Sequence, residues 1–328
     1  MKKPKILFIA ATRIGDAIFG MGLMDHIVTR YPDARITVAC GPLVTGFFTP
    51  IPQVERVIAL KKEKRAGHWR KLWKQVVLTR WDMVIDLRNS AVSRLIVSKQ
   101  KFIFGPHIDS QRHKVEQNAD VMKLDYTPQP RLWFSAETLA AAAQLVPPGG
   151  PVLGVGPAAN WFAKTWPADR FIALLKILTG EGGILPGARI AVIAAPGEEA
   201  QARPVLDSIP EHMRIDLIAK GRPELAAACI ARCDFFVGND SGLSHCAAAA
   251  GVPTLGLFGP SWPHIYRPWG QSYIATPKNF AQLIDYPGYD SRTAPCLMEG
   301  LSVDMVASAA YDAWFKAKAA APAPQKTA

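Results

Sequence analysis

The sequence predicts an α/β protein made of two doubly wound, Rossmann-like domains that face each other across a central cleft. Three observations predict it. Short apolar runs alternate with helix-length amphipathic segments along most of the chain, the pattern of βαβ units in a parallel sheet. The chain has 328 residues, enough for two separate cores. Pro147-Pro148-Gly149-Gly150-Pro151 breaks the alternation once, after which it restarts. The expected units are therefore residues 1–148, residues 149–310, and a terminal helix end with a disordered tail at 311–328.

In the first half, Lys5 to Ala11 reads as a strand whose run Ile6-Leu7-Phe8-Ile9-Ala10 suits a sheet covered on both faces. Thr12-Arg13-Ile14-Gly15-Asp16 is the loop at its carboxyl end, and Ala17 to Tyr31 a helix stopped by Pro32. Ala34 to Cys40, Val54 to Leu60, Asp82 to Leu87 and Lys101 to Phe104 read as further strands. After the break come strands at Val152 to Val155, Arg189 to Ala194 and Arg214 to Ile218. Helices are expected at Ala168 to Leu178, near Glu199 to Ser208, and at Pro223 to Arg232. Residues 234–262, DFFVGNDSGLSHCAAAAGVPTLGLFGPSW, form a strand, a turn, a small-residue helix from Leu243 to Ala250 and a second strand from Thr254 to Phe258. Such a crossover presents free N–H groups and a positive dipole end beside the first strand's carboxyl end, which suits an anion. Ala247 to Ala250 have almost no side chain, so something must pack close to this helix. A loop-rich stretch from Pro260 to Gly300 and a terminal helix from Ser302 to Lys318 complete the chain.

Composition narrows the function classes. Apolar content of 49% and charged content of 20% describe a globular protein. Met1-Lys2-Lys3-Pro4-Lys5 leads directly into a short apolar run, so a secretory signal is not expected, and no run approaches bilayer-spanning length. Five scattered cysteines fit buried thiols in a reducing cytoplasm, and no ligand cluster for a metal is apparent. The net charge of +11 lies entirely in residues 1–150, with 23 Lys and Arg against 12 Asp and Glu. That asymmetry points to an anionic partner for one domain. A nucleic acid is not expected, because no recognition motif accompanies the charge. A dehydrogenase is not expected either, since no G-x-G-x-x-G follows the first strand.

The segment from Asp240 to Pro260 resembles the signature of family 9 glycosyltransferases, the lipopolysaccharide heptosyltransferases. Their pattern is roughly D-[ST]-G-L-S-H-x-A-A-A-x-G-x-P-T-x-x-L-F-G-P, with Cys246 here at the first variable position. Arg13-Ile14-Gly15-Asp16 is similar to the family's R-[IL]-G-D motif, and Lys164-Thr165-Trp166-Pro167 to its K-x-W-P motif. The resemblance implies a GT-B fold. It also implies an inverting, metal-independent transfer of heptose from ADP-heptose to a lipopolysaccharide inner-core acceptor of the Kdo-lipid A type. No cofactor is implied, because the ADP-sugar is a substrate. The implied setting is cytoplasmic, with peripheral contact at the inner membrane. The alternatives are a different nucleotide-sugar or acceptor, or an epimerase or hydrolase on the same frame.

Asp16, at a helix start after a strand, is either a capping carboxylate or a general base for an acceptor hydroxyl; the resemblance implies the second. Gly15 is expected to let the acceptor sugar approach the backbone, with Arg13 beside it. Lys164 is either a solvated loop lysine or a cation for a departing diphosphate; the family motif implies the diphosphate. Upstream, where the family often has small hydroxyl residues, this chain has Ala158 and Ala159, leaving Asn160 as a side-chain donor to phosphate. Ser241, Gly242 and Leu243 are expected to offer amides to the diphosphate; Asp240 is either a helix N-cap or an acceptor for donor-sugar hydroxyls, and the resemblance implies the second. His245 is either a core residue or a phosphate contact. Glu199 is either an ordinary helix-start charge or a partner for the ribose hydroxyls; the resemblance implies the second, with Glu199 preferred over Glu198. On the acceptor side, Lys61, Lys62, Lys64 and Arg65 lead into a basic amphipathic segment containing Trp69, Leu72, Trp73, Val76 and Val77. That segment is either a helix packed on its sheet or a membrane-surface element. Arg88, Arg94, Arg112, His113 and Lys114 are further acceptor-side candidates.

Overall fold

The computed structural model describes residues 3–277, Leu283, Asp290 and residues 293–320. Its strands form two parallel sheets. The first contains β1 (Lys5–Ile9), β2 (Arg35–Cys40), β3 (Val54–Ala59), β4 (Trp81–Asp86) and β5 (Ser98–Ile103), in the order β3-β2-β1-β4-β5. The second contains β6 (Val152–Gly156), β7 (Arg189–Ala194), β8 (Arg214–Ile218), β9 (Phe235–Asn239), β10 (Thr254–Leu257) and β11 (Ser272–Ala275). Their order is β11-β10-β9-β6-β7-β8. In each sheet the order reverses beside the first strand, between β1 and β4 and between β6 and β9. A crevice opens at the carboxyl ends of the strands flanking such a reversal.

The doubly wound reading holds, with boundaries differing by a few residues. β5 begins three residues before its expected start, at Ser98, because Ser98–Ile103 is a half-exposed edge strand without a continuous apolar run. Edge strands need not be apolar on both faces. β11 falls in the stretch expected to be loop-rich, where Tyr273 and Ala275 join the core of the second sheet.

Each sheet has its own core, one around Phe8, Phe47 and Phe48 and the other around Trp166, Phe171 and Phe235. Two helices flanking the second half join its core. Ala136–Leu145 precedes the Pro/Gly break yet buries Ala142 with Val152 and Phe236 of the second sheet. Val303–Ala320 buries Ala310 and Ala313 on the opposite side. The disordered tail expected at the end falls, from residue 321 on, outside the described residues.

The two halves touch through helix Ile14–Arg30 of the first and helix Gly242–Ala249 of the second. Here the absence of side chains matters. A Cβ on Gly15 would lie 2.7 Å from His245 Cδ2, and one on Gly242 would lie 3.0 Å from Ile14. Of the alanines expected to be closely packed, Ala249 meets the core of the first half, whereas Ala247 and Ala250 pack with Phe236 and Val252 of their own half. On the side where a Cβ would project, the space that Gly15 leaves is taken by His245 of the other half.

Candidate active site

Four of the residues singled out by sequence sit at the strand ends that flank the two crevices. Asp16 follows β1 and Arg88 follows β4; the Lys164 loop follows β6 and Asp240 follows β9.

On the second sheet, Lys164 ends a short helical turn, Phe162–Lys164, that packing holds inward. Trp166, next but one, is fully buried; its indole N–H donates to the Leu301 carbonyl at 2.8 Å. Its backbone N–H donates to Asn239 Oδ1 at 3.0 Å, while Asn239 Nδ2 donates to the Pro157 carbonyl at 2.8 Å. One asparagine at the end of β9 thus ties together both ends of the loop after β6. Asp240 comes next, and its Oδ2 accepts from Lys164 Nζ at 3.1 Å and from Ser261 Oγ at 2.9 Å. Both members of this ion pair have side chains only 9% exposed. Lys164 Nζ also lies 5.0 Å from the centre of the Trp161 ring. Lys164 is therefore no solvated loop lysine.

Helix Gly242–Ala249 begins directly after Asp240, and its N-cap residue Ser241 makes no side-chain capping bond. The first turn thus presents backbone donors and a positive dipole end beside the ammonium group. The loop is braced from the other side by Gln201. Its Oε1 accepts from the Ala159 N–H at 3.0 Å, and its Nε2 donates to the Ala159 carbonyl at 3.2 Å. Asn160 beyond it is exposed. Glu199 opens helix Glu199–Asp207 at the end of β7, with its carboxylate accepting from the Gly197 N–H at 2.9 Å. Its own and Gly197's backbone N–H hold that carboxyl below the usual carboxylate range. Glu198 is tied instead to the Ala195 N–H at 3.0 Å.

On the first sheet, Asp16 is in the first turn of helix Ile14–Arg30, whose N-cap is Arg13. Asp16 lines a pocket of about 340 Å³ with Arg13, Arg88, Lys114 and Asn118. Asp86, fully buried at the end of β4, accepts from the backbone N–H groups of Arg88 and Ser90 and from Ser90 Oγ, which fixes the turn that carries Arg88. Lys114 Nζ lies 5.7 Å from the Phe104 ring centre and 5.9 Å from that of Tyr266. Burial pulls the Lys114 ammonium below the usual lysine range, and Asp16 opposes that.

Not every basic candidate converges here. Lys61, Lys62, Lys64 and Arg65 are exposed residues after β3, outside the pocket lining. Arg112 pairs with Asp120 at 2.5 Å and Glu116 at 3.5 Å, just before helix Lys114–Val121, and lies outside the pocket lining. Lys114, on the same helix, lines it instead.

Sequence patterns gave no sign of the aromatic stack that joins the halves next to these groups. Trp269 stacks on His113 with ring centres 4.6 Å apart, and Phe19 lies 5.4 Å from His113 and 4.5 Å from His245. His113 Nδ1 accepts from the Val115 N–H at 3.2 Å and Nε2 faces the Arg267 carbonyl at 2.8 Å, so the proton sits on Nε2. Burial pushes both His113 and His245 down to about 4. Their unfolded values are near 6.5. As pH falls from about 6.5 to about 4, the unfolded chain takes up protons that the folded chain refuses. Stability should therefore drop over that window, by about 3 kcal/mol for each histidine, and level off below it. Denaturant melts between pH 7 and 4 check this, and His113→Gln should remove its share of the slope. An equal slope in wild type and variant would contradict it.

Comparison with known proteins decides the family. The sequence model of glycosyltransferase family 9 (heptosyltransferase) matches residues 103–286, more than half of the chain. The chain belongs to glycosyltransferase family 9. The matched region contains Lys164, Glu199 and the Asp240 to Pro260 segment, whereas Asp16 precedes it. Lipopolysaccharide heptosyltransferase 2 of Escherichia coli K12 is 26% identical over 310 residues, with 80% of this chain and 85% of that protein covered. Among solved structures, the family 9 glycosyl transferase of Veillonella parvula is similar at a TM-score of 0.78, with 18% identity, covering 96% of this chain and 99% of that one. The E. coli ADP-heptose lipopolysaccharide heptosyltransferase II is similar at 0.73, with 20% identity, covering 96% and 99%. This family 9 glycosyltransferase has the expected GT-B architecture, with its two doubly wound domains meeting at the residues described above.

Proposed function

We propose that this family 9 enzyme transfers heptose from ADP-heptose to a lipopolysaccharide inner-core acceptor, by a single inverting displacement that needs no metal. The observation that carries the reading is the pairing of opposite chemistry at the two crevices. Lys164 and the start of helix Gly242–Ala249 offer positive charge and amides on one side, and the Asp16 carboxylate sits among cations on the other.

In this reading, the diphosphate of the donor binds between Lys164 Nζ and the Ser241, Gly242 and Leu243 amides, taking over the lysine from Asp240. Asp240, still held by Ser261, then accepts from sugar hydroxyls, while Glu199 and Asn160 serve the nucleoside and phosphate ends. His245, packed against Phe19 and Gly15, supports the helix start from behind. Asp16 takes the proton of the acceptor hydroxyl as its oxygen forms a bond to the anomeric carbon. The bond to the diphosphate breaks with its electron pair, and ADP leaves. Charge grows on the diphosphate as that bond lengthens, so a fixed cation stabilises the transition state more than the bound donor. Arg13, Arg88 and Lys114, with the more distant Lys61, Lys62, Lys64 and Arg65, face an anionic glycolipid on the cytoplasmic face of the inner membrane. The names of the relatives support heptose and lipopolysaccharide as donor sugar and acceptor class.

The test is donor consumption measured with and without a soluble, delipidated inner-core acceptor, alongside calorimetric titration with ADP, GDP and UDP. The expected result is consumption that requires acceptor, and binding that favours ADP. Consumption at the same rate without acceptor would place the chain among epimerases or hydrolases instead.

A further inference from the structure

The first domain carries an exposed apolar and basic flank that the pocket does not use. Helix Gly67–Val76 buries Leu72 and Val76, and partly Trp69, against the sheet with Ile58 and Val84. Arg70, Lys71, Trp73 and Lys74 point the other way, exposed. The chain then reverses through Leu78 into β4, and beside it a second reversal runs from Leu95 through Val97 into β5. These two reversals are joined by the Trp81 N–H, which donates to the Val97 carbonyl at 3.1 Å. At their tips Leu78 is 95% exposed, Leu95 66% and Val97 63%. Apolar side chains that exposed, in one group, mark a contact surface rather than a stray residue.

The charges around them choose the partner. Residues 61–101 contain twelve Lys and Arg against three acidic residues. Of the three, Asp86 is buried, Asp82 pairs with Lys99 and Glu63 with Lys71. Apolar tips within a cationic field fit the headgroup region of an anionic bilayer. A second copy of this chain fits poorly, because a twofold contact would set the same cations against each other.

We propose that the outer flank of helix Gly67–Val76 and the reversals at Leu78 and Val97 dock on an anionic lipid bilayer. This rests on the reading of the acceptor as a lipid-linked sugar, and adds where the membrane lies. The reversals are at the amino ends of β4 and β5, and the pocket is at the carboxyl ends; six residues per strand separate them by roughly 20 Å. The flank spans that distance, since Arg88, which lines the pocket, lies 5.4 Å from the ring centre of Trp69 on the same helix. The docked flank thus runs up to the rim of the pocket that contains Asp16.

The experiment is sedimentation of the full-length protein with acceptor-free vesicles of phosphatidylglycerol and phosphatidylethanolamine, or of phosphatidylcholine alone. Binding to the anionic vesicles is expected to be at least about tenfold tighter, and to weaken about tenfold in roughly 0.5 M salt. Leu78→Glu/Leu95→Glu and, separately, Arg70→Glu/Lys74→Glu are each expected to weaken it by at least about tenfold. The melting curve, ADP affinity and transfer to the delipidated acceptor should be unchanged in the Leu78→Glu/Leu95→Glu variant. Equal binding to both vesicle types, a leucine variant that binds as wild type does, or a wild-type dimer that this variant converts to monomer would each overturn the proposal. Because the vesicles hold no acceptor and the transfer assay no membrane, failure of the docking surface is told apart from failure of the proposed reaction.

Discussion

Replacing Asp16 by asparagine is expected to lower turnover by about 10² to 10⁴-fold while leaving the affinity for ADP within about twofold. The substitution preserves shape and removes only the ability to take a proton. Asp16 lies in the first turn of helix Ile14–Arg30, so folding loses the favourable interaction of its charge with the helix dipole, which is under about 1 kcal/mol. Nor does it remove the ion-pair partner of Lys164, which is Asp240. A fall in kcat with unchanged ADP binding in calorimetry is the expected pattern. Turnover equal to wild type would remove Asp16 as the base. Weakened ADP binding would place Asp16 on the donor side.

Replacing Lys164 by alanine is expected to act on both binding and rate. Removing a cation aimed at developing charge costs about 10² to 10³-fold in turnover. It also weakens ADP, because the diphosphate is already charged in the ground state. A second consequence follows from the ligand-free ion pair. Without Lys164, Asp240 is left nearly buried, with Ser261 as its remaining close donor and His245 3.9 Å away and neutral. Leaving one member of a buried pair unpaired destabilises a fold by on the order of 3 kcal/mol. Lys164→Ala should therefore lower the melting temperature as well. Adding Asp240→Asn should restore most of that stability without restoring turnover. Stability unchanged by Lys164→Ala would mean that water replaces the ammonium at no cost; ADP affinity unchanged would mean that the diphosphate lies elsewhere.

The sequence made much of this legible because the chemistry sits where local patterns are strongest. β1, β4, β6 and β9 are apolar runs covered on both faces, and the loops that follow them contain Asp16, Arg88, Lys164 and Asp240. The helix after Asp240 was readable from its turn residues and its run of alanines. What stayed hidden depends on contacts between distant parts of the chain. Gln201 braces the Lys164 loop from 42 residues away in sequence, and nothing around it differs from an ordinary helix. His113 caps a helix locally, but its meeting with Trp269 and the Arg267 carbonyl exists only once the two halves face each other. Arg112 and Lys114 look alike as letters; the acids at 116 and 120 engage the first, leaving the second to the pocket. That His245 packs against Gly15 is likewise visible only once the two halves meet.

A crystal structure of the protein with bound ADP tests the placement of the diphosphate most directly. It should show the diphosphate within hydrogen-bond reach of Lys164 Nζ and of the Ser241 and Gly242 amides, with its open side toward Asp16. A diphosphate bound away from Lys164, or turned from the first domain, would contradict it.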